Sequence, residues 1–399
     1  MKSKFGKVLV AGFAAAIAIC LAGSANAGTV YVGGCAIPSY PTISLAVANS
    51  TSGGVVKVCP GGGSGPGGSY PEQVTITKNL TLEGVTSGTA SEAEITAPSG
   101  GVVQNATSVA PSDVGNPAIA AQILVQNATV TIEDLVVDGG TSWNGCSPNL
   151  IGIYYQNSSG TVNRVVTRNQ TAVPTSGCQS GLGIFVESAS PKVSTVTVEN
   201  SSVHDFQKNG ITGHEVGTTL TAILNQVRGV GPTAAIAQNG IEMAYGATGK
   251  IESNTVTDVN YTPFPDSTGI LVYDSANTTI SANHVGSAQY GIAIYGDGSF
   301  PADDATISSN VVNGAFDGID VCGSTGGSVT TNNIGGSTES GIHLDGTCRA
   351  SAGGTTVMGN TVNEGCAAYL DNTGETPTFT ATETTNVVHT LLTGQDTCP

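Results

Sequence analysis

The sequence predicts an all-β solenoid, a single elongated domain of stacked parallel coils with an N-terminal cap, and two recurring phrases predict it. Six asparagines (Asn225, Asn254, Asn283, Asn310, Asn332 and Asn360) recur every 22 to 29 residues in the pattern apolar-x-x-Asn-x-Val/Ile. A Gly-Ile phrase followed by alternating residues recurs at Gly152, Gly183, Gly210, Gly240, Gly269, Gly291, Gly318 and Gly341. Two short strand signals per period of 22 to 31 residues describe a chain that coils and stacks on itself. Val and Ile alternate with small polar residues throughout, as half-buried strands require. The 55 glycines have no period of three, which excludes collagen.

The elements follow in order. Residues 1–27 read as a secretory signal: Lys2, Lys4 and Lys7 precede an apolar run from Val8 to Ala22, and Ala25-Asn26-Ala27 has the small-x-small form of a cleavage site. Residues 28–84 form an N-terminal cap and first coils, with a short helix over Thr42–Ala48 and strands at Val55–Val58, Val74–Ile76 and Leu80–Gly84. A helix over the first coil would hide the open sheet edge that a solenoid must cap. Residues 85 to about 125 read as an irregular excursion, with regular coils resuming at Val130 and the β-helix as a whole spanning 85–370. The Thr-rich residues 371–399 read as a closing cap or tail.

Each repeat residue has a physical reason. Stacked Asn side chains can pass amide hydrogen bonds from coil to coil, which satisfies polar groups that burial would otherwise penalise. The six asparagines are therefore structural. Gly before Ile suits a corner that needs positive φ or close backbone approach. Apart from Cys20 in the signal, eight cysteines remain, an even number in an exported chain. The repeat register sets Cys146 beside Cys178, and Cys35 with Cys59, Cys322 with Cys348 and Cys366 with Cys398 are the next simplest pairs.

The run from Thr42-Ile43 through Tyr70-Pro71-Glu72-Gln73-Val74 to Leu80-Thr81-Leu82-Glu83-Gly84 resembles the start of pectin-lyase-like proteins, and the Asn and Gly-Ile phrases resemble the repeats of that superfamily. The resemblance implies a single-stranded right-handed parallel β-helix with an Asn ladder. It leaves function open, because the fold hosts lyases, hydrolases, esterases, epimerases and non-catalytic surface proteins. The Tyr70-Pro71-Glu72 phrase is similar to one in pectinesterases, but their later catalytic phrases have no counterpart. Gly213-His214-Glu215 and Asp303-Asp304 echo polygalacturonase motifs in reversed order and without the basic triplet.

With each Ile inward, alternation sends two rows outward. The first reads Tyr154, Phe185, Thr212, Glu242, Leu271, Ala293, Asp320, His343, and the second Gln156, Glu187, His214, Ala244, Tyr273, Tyr295, Cys322, Asp345. Two clusters of acid–base groups result. His214 stacks on Glu187 with Glu242 one coil further, and His343 stacks on Asp320 with Asp345 on its own strand. A His beside a carboxylate can carry protons near neutral pH, and paired carboxylates serve glycoside hydrolysis. Tyr154, Tyr273 and Tyr295 offer ring faces to sugars. Asp297, Asp303 and Asp304 supply hard oxygen ligands that calcium could use, in no specific motif, and no other cofactor is implied.

Charge narrows the partners. The formal charge of −17 becomes −20 once the three signal lysines are removed, and such a surface repels nucleic acid and anionic membranes. The sequence thus describes a secreted, periplasmic or cell-surface monomer without a membrane span after signal cleavage, facing a polysaccharide or other glycan. Two functions fit it: a hydrolase or lyase using the outward strip, with hydrolysis favoured because cations are scarce, or a non-catalytic glycan-binding or structural protein.

Overall fold

The computed structural model describes residues 28–86, 92–112, 117–140, 146–172, 175–262, 264–297, 301–346, 348–349, 353–363, 370–371 and 381–388. Cys366, Cys398 and the signal lie outside them. Among the described residues the successive coils build three sheets of 14, 12 and 12 strands, parallel throughout except for Ala106–Thr107 in the third. One coil, for example, runs Thr218–Ile223 in the first sheet, Gln226–Arg228 in the second and Asn239–Ala244 in the third. Thr248–Glu252 then returns beside Thr218–Ile223. The Gly-Ile isoleucines fill the interior with the valines of the second sheet, and Ile211, Ile241, Ile270, Val256 and Val285 are fully buried. Each such side chain contributes roughly 1.5–3 kcal/mol relative to exposure.

The asparagine ladder is continuous. Asn225, Asn254, Asn283, Asn310 and Asn332 each donate their backbone N–H and Nδ2 to Oδ1 of the next, at 2.9–3.0 Å. Asn360 extends it to Asn386, a seventh member. The residue before most of them, such as Leu224, Ser253, Ala282 and Ser309, has positive φ and turns the corner.

The Gly-Ile glycines act by close approach, and none of them has positive φ. A Cβ on Gly240 would stand 2.4 Å from Val256 Cγ1 and 2.5 Å from the Gly269 carbonyl oxygen. Gly240→Ala is therefore expected to destabilise the protein by about 2 kcal/mol or more through overpacking. Gly100→Ala, whose Cβ would meet nothing within 4 Å, should melt like the wild type. Thermal melts followed by circular dichroism compare the two.

At the N-terminus a helix spans Ile43–Asn49, and Thr42 Oγ1 accepts from Leu45 N. Glu72 accepts from the backbone N–H groups of Ile43 and Ser44 at 2.7 and 2.9 Å, placing an anion where the helix dipole favours one. The pectinesterase-like Tyr-x-Glu phrase is thus a capping device here. Cys35–Cys59, Cys146–Cys178 and Cys322–Cys348 are disulfides.

Two expectations about organisation are corrected. Residues 85–125 are not wholly irregular: Ala93–Thr96 joins the second sheet and Ala118–Gln126 the third. Between these two strands Ala106–Thr107 folds back antiparallel on Ala118–Ile119. Ala381–Thr384 and Val387–Val388 also pair in parallel with the preceding coil, so these tail residues extend the solenoid.

Candidate functional site

The third sheet brings both outward rows together in the expected register. Tyr154, Phe185, Thr212, Glu242, Leu271, Ala293, Asp320 and His343 are successive cross-strand partners, as are Gln156 through Asp345 in the second row. A third outward row precedes the glycines: Asn209, Asn239, Thr268, Tyr290, Asp317 and Ser340. Strict alternation misses it, because Gly and Ile both turn inward and the pairing steps over the glycine.

The first coils of the strip are covered. Residues 104–112 lie across them as a strap, and Gln156 Nε2 donates to Thr107 O. Val109 N and Ser108 Oγ donate to Glu187 at 2.8 and 3.0 Å, and Ser112 N donates to Glu215. Glu187 is fully buried and also accepts from the Tyr154 hydroxyl. Burial raises its pKa against the effect of these donors. Glu187 therefore anchors the strap, a correction to its placement among solvent-facing acid–base groups. Tyr154 is corrected likewise: its ring is fully buried and stacks on Phe185 at 5.5 Å, so it offers no free face to a sugar.

Beyond the strap lies a cleft of about 430 Å³, and His214, Glu242, Asn209, Thr212, Lys208 and Tyr245 are among the residues lining it. Asn209 and Asn239 donate to the same Glu242 oxygen, Oε2, at 2.6 and 3.0 Å. Oε1 has no protein donor among the described residues. Rings continue from coil to coil: Phe185 to His214 at 5.6 Å, His214 to Tyr245 at 4.8 Å, and Tyr245 to Tyr273 at 5.4 Å. Tyr245 was not legible as a site residue, because it sits at the positive-φ corner after its strand.

Further along, the carboxyl-rich cluster is built on two adjacent strands, Asp317–Cys322 and Ser340–Asp345. Asp317 and Asp320 are 3% and 4% exposed. The Tyr295 hydroxyl donates to Asp320 Oδ2 at 2.5 Å, and His343 Nδ1 stands 3.2 Å from Asp320 Oδ1. Burial and the Asp320 charge push Asp317 up to about 7, against the pull of His343 and the Ser340 N–H. Burial opposes charge on His343, but Asp320 outweighs it and raises the imidazolium pKa to about 9. Tyr290 and Tyr295 are both pushed well above the usual phenol range by burial and by Asp320, and Tyr295 donates to Asp320. Near neutral pH the cluster therefore holds a cationic His343 and an Asp317 that is partly protonated.

The neighbouring acidic loop is bound up internally. Asp303 Oδ1 pairs with Arg349 at 2.5 Å and accepts from Thr325 N at 2.7 Å. Tyr273, its own pKa raised to about 12 by burial and nearby carboxylates, donates to Asp297 at 3.4 Å. Asp303 is thus neutralised by an arginine, which corrects its reading as a calcium ligand beside Asp297 and exposed Asp304. Among the described residues, Cys322, Asp345 and Cys348 have the closeness of a metal site, but the two sulfurs form a disulfide.

Stacked coils, an internal Asn ladder and an outward cleft define a parallel β-helix protein. The chain belongs to the Right handed beta helix region family, whose profile matches residues 121–302 and 268–391. A search of curated protein sequences returns no match. Among solved structures, the fold is similar to the A-module of an Azotobacter vinelandii mannuronan C-5 epimerase, with 15% identity, 87% of this chain and 91% of that chain covered, and a TM-score of 0.54. It is also similar to the GH136 lacto-N-biosidase of Eubacterium ramulus, at 13% identity, 92% and 68% coverage and a TM-score of 0.61. The exopolygalacturonase of Thermotoga maritima is similar at 9% identity, 85% and 83% coverage and a TM-score of 0.54. At these identities the likeness is one of fold. Among the described residues no helix is long and apolar enough to cross a membrane.

Proposed function

We propose that this is an exported carbohydrate-active enzyme that hydrolyses glycosidic bonds in a polysaccharide lying along the outer face of the third sheet. The observation that carries this reading is a pair of buried carboxyl groups, Asp317 and Asp320, on one strand of the outward strip, with the Tyr295 hydroxyl and the His343 imidazole set against Asp320. Asp317, whose pKa burial raises to about 7, supplies a general acid, and Asp320 on the same strand lies beside His343 at 3.2 Å. Asp317 donates the proton to the leaving oxygen. Asp320, held by Tyr295 and His343, faces the developing positive charge of an oxocarbenium-like transition state and takes a proton from the water that adds to the anomeric carbon as the bond to the leaving oxygen breaks. His214, Glu242 and the rings of Tyr245 and Tyr273 hold sugar units further along the strip.

Hydrolysis is favoured over elimination for two reasons. Elimination needs a base to take the C5 proton of a uronate, whereas the tyrosines have raised pKa values and hold their protons. The cluster is also rich in acids, with Glu339 and Asp266 nearby, and repels anionic sugars. The three disulfides fit an oxidising compartment outside the cytosol.

The test is a panel of neutral and anionic polysaccharides assayed for reducing ends and for unsaturated uronates. Reducing ends without unsaturated product are expected, with kcat falling above about pH 7 as Asp317 loses its proton. Unsaturated product would refute the hydrolase assignment. Binding without any product would identify a non-catalytic glycan-binding protein.

A further inference from the structure

The strip is not equally open at its two ends. The strap at 104–112 is tied across the strip to Gln156, twice to Glu187 and to Glu215, and at its base Asn105 exchanges amide hydrogen bonds with Ala121. Beneath it Tyr154 and Glu187 are fully buried and Gln156 is 3% exposed. Ile119, Leu182 and Phe185 line the near end of the cleft as an apolar wall. A glycan following the strip from His343 toward His214 meets the strap there, because Gln156 and Glu187 of the next coils are covered by it.

Geometry also sets how much sugar fits. Glu242 and Asp320 belong to one row and are three pairings apart, through Leu271 and Ala293. Three interstrand steps of about 4.8 Å span ~14 Å, and a hexose unit in a chain occupies about 5 Å, so ~3 units fit between the cleft and the acid cluster. The terminal unit would meet Asn209, His214 and Glu242 at the closed end.

Given the hydrolase reading, on which this rests, we propose that the strap makes the strip blind at one end, so that the protein works from chain termini and releases products about three sugar units long. Glu187 and Glu215 are then specificity-determining through the strap they hold. The pairing of a covered end with cleavage chemistry three coils away is what sets the product length.

The experiment sizes the products by mass spectrometry and follows viscosity from the earliest time points, using wild-type protein on xylan, β-1,3-glucan and polygalacturonate. One product length near three units, with viscosity sustained, is the expected result. A broad spread of lengths with rapid viscosity loss overturns the blind-end proposal and leaves the hydrolase reading standing. No product from any of the three overturns both. A second arm uses the Ser108→Ala/Glu187→Gln double variant, with hydrogen exchange over 104–112 showing whether the strap has loosened. A loosened strap should shift the products from one length to a spread. An unchanged length with a loosened strap overturns the proposal.

Discussion

Asp317→Asn is expected to abolish turnover and, at pH 8, to make the protein more stable. Both effects come from the same burial. A general acid contributes roughly 10²–10⁴-fold, so kcat should fall by about that factor. The stability effect follows from proton linkage. Asp317 titrates at about 7 in the folded protein against 3.8 in the unfolded chain, so the folded state binds this proton more tightly. Stability from this group is therefore greatest below about pH 4 and declines as pH rises through about 7. Above that window the wild type holds a buried carboxylate facing Asp320 and Glu339, opposed by His343.

Asparagine keeps an oxygen for the Ser340 N–H and carries no charge. A gain of about 2 kcal/mol at pH 8, or roughly 2–5 °C in Tm, is expected, shrinking toward zero by pH 4. Differential scanning calorimetry at the two pH values measures it. A variant that is inactive but no more stable than the wild type at pH 8 would show that Asp317 is not strained in the way described. His343 points the same way: raised from 6.5 to about 9, its contribution is complete below about pH 6.5 and is lost as pH rises through about 9.

The largest purely structural effect is expected at the centre of the ladder. Asn283 accepts from Asn254 N and Nδ2 at 2.9 and 3.0 Å, and donates to Ile251 O and Asn310 Oδ1 at 2.8 and 3.0 Å. Asn283→Ala removes all four bonds and leaves Asn254 N and Ile251 O without these partners in the interior. With about 1–3 kcal/mol for each buried unsatisfied group, the loss should reach about 3–5 kcal/mol. Because each coil contacts only its neighbours, the loss falls on one interface, and urea unfolding should broaden or separate into two steps. Asn313→Ala, an exposed asparagine nearby, should stay within about 0.5 kcal/mol of the wild type. Equal midpoints for the two variants would remove the ladder from the account of stability.

The ladder, the inward isoleucines and the two outward rows were legible because period-two alternation and a repeated corner are local properties of the chain. Asp320 beside His343 and His214 beside Glu187 could be paired on paper for that reason, and the sheet pairs them. Asp317 and Tyr290 were not legible, since the inward turn at each glycine shifts the alternation by one residue. Tyr245 escaped as a corner residue, and Asn386 as a single asparagine in the expected tail.

The amino-acid order alone determined the stacked coils, the Asn column, the pairing of three disulfides and the register of the outward strip. All of these depend on residue spacing along one chain with a nearly constant period. Only the tertiary structure decided which outward groups meet solvent. The strap takes Glu187 and Tyr154 out of the strip, and Arg349 neutralises Asp303. Those contacts join segments tens of residues apart through loops that carry no repeat, so their partners are set by where the loops land in space.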